Sequence, residues 1–278
     1  MKKAPCKTDI KVSRGAAVAD VVASAKALTF VNANGISFRL TFEGIHGWRL
    51  QSSKNGKFDD MGACQMLAQF MNEQLKELLT NYGEIGAIWF DGWWDHDSDS
   101  VPFDWQLPYQ YELIHKLQPS CLVGNNHHQV PFEGEDIQIF ERDVPGENKA
   151  GLSGQAISRL PLETCQTMNG MWGYKIEDQN YKSTKTLIQL LVRAAGKSAN
   201  LLMNIGPQPN GELPAVAVQR MKEMGEWMQQ YGETIYGTRG GDVAPHAWGV
   251  STRKGNRLFI HVLDLKDNSL YIPLKAKV

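Results

Sequence analysis

Residues 85–94 read Ile-Gly-Ala-Ile-Trp-Phe-Asp-Gly-Trp-Trp, an apolar run that ends in an acid, a glycine and two tryptophans. A buried parallel strand delivers one carboxylate to the mouth of a βα-barrel in this way. Asp91 then stands where chemistry sits in such folds, with Trp89, Trp93 and Trp94 offering flat apolar surface beside it. A carboxylate beside indoles is a sugar-handling combination, the acid for bond breaking and the rings for stacking on pyranose faces. An acid capping the next segment, with the indoles in a core, is the plainer reading, and this stretch alone leaves both open.

Working outward, the period on the N-terminal side is that of a helix. Met66, Leu67, Phe70, Met71, Leu75, Leu78 and Leu79 mark one face, and Gly83 is a stop signal. On the C-terminal side strands and helices alternate. A helix is expected over 107–117, closed by Pro119, then strands at CLVGNN and DIQIFER. LETCQTMN, a helix over 183–195, the buried strand ANLLMNIGP and a helix over 214–231 follow. This is an α/β series of about five βα units, a partial (β/α)8-like barrel over 62–234. Residues 1–61 form a β-rich segment, with 1–27 poorly ordered or weakly helical and a period-two hairpin around Asn34-Gly35. RLFIHVLDL and SLYIPL return to period two, so 235–278 reads as the start of a C-terminal β-sandwich domain, cut short at Val278.

A formal net charge of −1 gives no global field for nucleic acid or an anionic membrane. No stretch of 18 apolar residues exists to span a bilayer. The basic start MKKAPCKTDIKVSRG has no apolar stretch behind it and does not read as a signal peptide. The four cysteines, Cys6, Cys64, Cys121 and Cys165, show no CxxC spacing and read as buried free thiols. Asp95, Asp97 and Asp99 have the start of a calcium-loop spacing without its glycine or its closing glutamate, so no metal is expected there. His127 and His128 are adjacent, and neighbours on a strand point to opposite faces, which argues against a metal pair.

Glycoside hydrolysis needs a second carboxyl group across the scissile bond. Glu135 and Asp136 enter a strand from its N-terminal end and are discounted; Glu141 and Asp143 lie at its far end, and Glu147 sits in the Pro-Gly loop beyond. Glu141 or Glu147 can reach the mouth, and spacing alone does not choose between them.

Five runs, QLKELLTNYGEIGAIWFDGWWD, LVGNNHH, ERDVPGEN, LETCQTMNGMWGY and ANLLMNIGPQPNGELP, occur in an order that resembles the second half of a family 29 α-L-fucosidase, over about residues 66–265. The resemblance implies a retaining exo-hydrolase of terminal α-L-fucose, acting on fucosylated oligosaccharides or glycoconjugates with no cofactor. It implies Asp91 as nucleophile and Glu147 as acid/base. Trp89 resembles a residue lining the sugar pocket, His127 or His128 a polar sugar contact, and Trp172 the aromatic residue against the fucose methyl. Residues 1–61 do not match these motifs; SFRLTFEGIHGWRLQSSKNGKFDDMGACQMLA weakly resembles a β-sandwich piece of other glycoside hydrolases, such as family 31. The family's first strands are then missing, so impaired activity, a non-catalytic carbohydrate-binding module, and a partner or oligomer completing the barrel are all expectations. By resemblance the compartment is periplasmic or secreted.

Overall fold

The computed structural model describes residues 27–31, 37–42, 48–53, 60–96, 104–266 and 269–272. The readings placed on residues 1–26, on the Asn34-Gly35 turn, on Asp97 and Asp99 and on the side chain of Asp95 lie outside them.

The described residues fall into two compact units, one reaching Gly83 and taking in Asp95–Leu113, the other formed by Glu84–Trp94 and the chain from Ile114 onward. In the first, β1 (Ala27–Val31), β2 (Ser37–Phe42) and β3 (Trp48–Ser53) form an antiparallel sheet in sequence order. The helix α1 (Asp60–Asn81) follows, and Gly83, at φ +82°, takes the left-handed conformation that ends it. Among its described side chains the buried stripe is Ala68, Asn72, Leu75 and Leu79. The stripe keeps the helical i, i+4, i+7 spacing, which leaves Phe70 and Leu78 off it and exposed.

The second unit is built on one parallel sheet. β4 (Ala87–Phe90), β5 (Leu122–Asn125), β6 (Ile137–Glu141), β7 (Leu162–Thr167) and β8 (Ala199–Asn204) lie side by side in chain order, the arrangement of a curled half-barrel. The helix α2 (Leu107–Leu117) precedes β5, α3 (Thr184–Gly196) precedes β8, and α4 (Ala215–Tyr231) follows it. A side-chain cap from Ser183 to the Thr186 N–H starts α3.

Alternation along the strands decides what faces where. Phe140, Leu162 and Ala199 point to the helical side and pack with Val144 and Ala194. Met168, Leu187, Ala217 and Met224 form a second cluster there, with Met203 and Ile205 against it. The opposite, inner face carries Trp89 and Asp91 on β4 and beyond it, Gly124 on β5, Ile139 and Glu141 on β6, Glu163 and Cys165 on β7, and Leu202 on β8. Gly124 is small where the Ile139 side chain crosses, 3.1 Å from where a Cβ would stand.

A second antiparallel sheet, β9 (Arg239–Gly240), β10 (Gly249–Lys254) and β11 (Arg257–Val262), occupies the C-terminal part in the order β11-β10-β9. The strand expected at SLYIPL does not form over its described residues, 269–272. Alternation alone makes no strand without a ladder to join. Cys121 and Cys165 are buried free thiols.

Leu187 is wholly buried between α3 and its neighbours. Leu187→Ala is expected to destabilise the chain by about 2–5 kcal/mol. Thermal unfolding followed by far-UV circular dichroism reads it as a lowered midpoint with an unchanged native spectrum.

Candidate active site

β4 ends at Phe90 and hands the chain to Asp91, whose side chain is exposed. Gly92 follows at φ +80°, a conformation that glycine adopts freely and that turns the backbone sharply into the 3-10 turn Trp93–His96. On the next strand the Asn126 N–H donates to the Phe90 carbonyl at 2.9 Å, which extends the ladder past β5 and sets Asn126 beside Asp91. The Asn126 amide Nδ2 then donates twice, to Asp91 Oδ1 at 3.2 Å and to Glu141 Oε2 at 2.9 Å. Two oxygens within reach of one nitrogen lie within about 6 Å of each other, and a retaining pair of carboxyl groups stands about 5–5.5 Å apart.

Glu141 closes β6 and is buried. Its Oε2 also pairs with His128 Nε2 at 2.9 Å, and the His128 ring stacks on Trp94 at 4.5 Å and 11°. A third acid lies on the same inner face. Glu163 Oε1 accepts from the Trp89 indole N–H at 2.9 Å. Burial pushes the Glu163 carboxyl above its ordinary value, and the indole N–H opposes that rise by favouring the charged form. Burial also pushes the Cys165 thiol up to about 12, and the charges of Glu141, Glu163 and Asp91 push it the same way. A single thiol that feels all three acids marks where they converge, and a thiol held protonated is no nucleophile.

The residues singled out from sequence separate as follows. Asp91, Trp89 and His128 are brought together, joined by Glu141 as the second carboxylate. Glu147 pairs with Lys149 Nζ at 2.6 Å and lines a cavity with Val144, Arg193, Lys197 and His246. Val144 belongs to the cluster behind the sheet, so that cavity opens on the helical side. His127 is buried, with Nδ1 accepting from the Gln129 N–H at 3.0 Å, Nε2 against Glu135 at 2.9 Å, and Phe132 stacked on its ring. The Nδ1 acceptor places the imidazole proton on Nε2, where it is donated to Glu135. Trp172 stands in the loop after β7, its carbonyl accepting from Asn204 Nδ2 at 2.7 Å.

Asn126 and Glu163 were missed in the sequence. An amide carries no chemical signature of its own, and Glu163 stands near the start of its strand rather than at the end where chemistry is expected. Period two was the available signal, since Glu163, like Cys165, falls on the alternate of β7 opposite to Leu162.

Two carboxylates gripped by one amide at the C-terminal ends of parallel strands, with indoles around them, are the arrangement that a two-carboxylate glycoside hydrolase requires. Comparison with known proteins narrows the class. The model of the family described as alpha-L-fucosidase matches residues 8–233, and the chain belongs to that family. The match starts inside the 1–61 segment, which the five motifs do not reach. The plasma alpha-L-fucosidase of Rattus norvegicus is 33% identical over 194 residues, 58% of this chain and 42% of that protein. The alpha-L-fucosidase of Branchiostoma floridae is 34% identical over 181 residues, 60% of this chain and 36% of that one. Among solved structures, alpha-L-fucosidase isoenzyme 1 from Paenibacillus thiaminolyticus is 33% identical with a TM-score of 0.60, over 72% of this chain and 48% of its own. The chain therefore spans less than half the length of these relatives.

Trp89→Phe removes the donor that favours the charged form of Glu163 and leaves desolvation unopposed. The Glu163 pKa is expected to rise further, read by carbon-13 NMR titration of labelled glutamate carboxyls. Because the fold already raises this pKa, the stability it contributes is fully present below the unfolded value and is lost as pH rises through the folded one. In the variant that loss moves to higher pH.

Proposed function

We propose that this chain carries the catalytic pair of a retaining exo-α-L-fucosidase that removes terminal α-L-fucose from glycans. The observation that supports the reading best is the shared amide of Asn126, with Asp91 on one side and Glu141 on the other. Asp91, exposed at the strand end, attacks the anomeric carbon and forms a glycosyl ester as the bond to the leaving oxygen breaks. Glu141 gives that oxygen its proton, then takes one from the water that hydrolyses the ester, so configuration is retained. Trp89 and His128 line the sugar site, and Trp172 presents an apolar wall to the methyl at C5. Glu147, to which the family resemblance pointed, has its carboxylate engaged by Lys149 on the helical side, which favours Glu141 for the acid/base role.

The reading also calls for further strands to close the barrel, from a longer chain, a second polypeptide or another copy. Its support is the inner face, where Trp89, Leu122 and Leu202 are 38%, 44% and 39% exposed. A closed barrel fills that space with side chains.

Hydrolysis of 4-nitrophenyl α-L-fucoside tests the assignment. Asp91→Asn is expected to abolish turnover and Glu141→Gln to lower it by about 10²–10⁴-fold, the range of general acid–base catalysis. Glu147→Gln should leave it within a fewfold of the parent. Loss in Glu147→Gln with activity kept in Glu141→Gln would reverse the two roles. Folded protein with no turnover, whose fucose binding survives Asp91→Asn, would make the chain a carbohydrate-binding module. Light scattering over a range of concentration checks closure by another copy, with a mass above that of one chain expected.

A further inference from the structure

The loop that follows β7 is held from every side. The Asp178 carboxylate accepts from the N–H groups of Gly170 at 2.9 Å and Met171 at 2.7 Å. Thr167 Oγ1 donates to the Met171 carbonyl at 2.9 Å, and Asn204 Nδ2 to that of Trp172. Gly206, two residues beyond β8, presses on the loop, where a Cβ would come within 2.5 Å of the Tyr174 nitrogen. These contacts grip the backbone and leave the Trp172 indole unfixed.

Arg142 supplies the missing contact. It follows Glu141 directly and takes φ +62°, a left-handed conformation uncommon for a residue with a Cβ. Its N–H donates to the Cys165 carbonyl at 2.9 Å, and its own carbonyl accepts from Gln166 Nε2. The turn carries the side chain off the line of β6 and across the end of β7. There Nη2 donates to the Gly170 carbonyl at 3.0 Å and the guanidinium lies 5.0 Å over the Trp172 ring. Glu141 Oε1 stands 3.9 Å from Arg142 Nε, so one side chain touches both the proposed acid/base and the aromatic wall. A guanidinium over one indole face orients the ring and leaves the other face for an apolar group.

We propose that Arg142 is the positioning residue for Trp172, holding the indole against the C5 methyl and so setting preference for a 6-deoxy over a 6-hydroxy L-sugar. The selectivity part rests on the fucosidase reading above; the positioning part does not.

The test is made in 5-fluorotryptophan protein by fluorine NMR, with Trp172→Phe identifying the Trp172 signal. Arg142→Met is expected to move that signal toward the position of exposed fluorotryptophan while the other indoles keep theirs. Arg142→Lys, which retains charge and reach, should show a smaller shift and serves alone if the Met variant does not fold. In parallel, the ratio of kcat/KM for 4-nitrophenyl α-L-fucoside to that for the α-L-galactoside, its 6-hydroxy counterpart, should fall about tenfold in Arg142→Met, the scale on which a small apolar group is discriminated. A Trp172 signal that stays in place overturns the proposal whether or not the chain turns over sugar. A moved signal with an unchanged ratio overturns the selectivity part. A moved signal in the variant, with a folded parent chain that hydrolyses neither sugar, upholds the positioning and overturns the fucosidase reading.

Discussion

One amide group organises the site. Asn126 Nδ2 has two protons, and both go to carboxylates that would otherwise repel each other across the strand between them. Like charges at this separation push side chains apart unless a donor sits between them. The ladder bond from the Asn126 N–H to Phe90 fixes the backbone from which that donor reaches, so the geometry of the pair is inherited from strand pairing. Any shift of β5 against β4 by one residue would turn Asn126 to the helical face and leave Asp91 and Glu141 uncompensated.

The same strand pairing explains why the two faces of the sheet differ. On the helical side Phe140, Leu162, Val192, Leu187 and Met168 are buried, and the clusters around them couple α3 and α4 to β6, β7 and β8. That side supplies the hydrophobic stabilisation and makes the sheet rigid. The inner side holds acids, amides and a thiol whose mutual arrangement has a meaning only if the strands do not move. Stability and chemistry are thus divided between alternate residues of the same strands, with Phe140 next to Glu141 and Leu162 next to Glu163 as the plainest cases.

This division also governs how much could be read beforehand. The five strands, the four helices and the position of Asp91 were legible, because periodicity and an acid closing an apolar run are local signals. The grounds for proposing Glu141 rather than Glu147 as the acid/base were not. Both lie at or beyond the end of β6, and they are separated only by the course of the chain after Arg142. Thr164 Oγ1 binds the Asp143 carbonyl and the Asp143 carboxylate takes the Ala150 N–H, which folds that loop back on the helical side. Such contacts depend on a strand twenty residues further on and leave no trace in local spacing. His128 illustrates the same limit: alternation predicts opposite faces for adjacent histidines, but β5 ends before either, and a left-handed backbone at φ +60° sends His128 to Glu141.

His128 and Arg142 share that unusual backbone, and both touch Glu141. A non-glycine residue held this way costs about 1–3 kcal/mol and persists only where its surroundings leave no relaxed alternative. Each has such surroundings. His128 is pinned between a carboxylate and the face of Trp94, and Arg142 is tied through its N–H, its carbonyl and its guanidinium to three different residues of the β7 region. The consequence is the same in both places: the chain leaving a strand, just after β6 and three residues after β5, turns a side chain back across the site. Glu141 therefore sits between two strained neighbours, one reaching the indole beyond Asp91 and the other the indole beyond β7. Stiffness of this kind has a chemical use in the acid/base role proposed for Glu141. A proton donor that keeps one orientation through two successive transfers, first to the leaving group and then from water, needs no reorganisation between them.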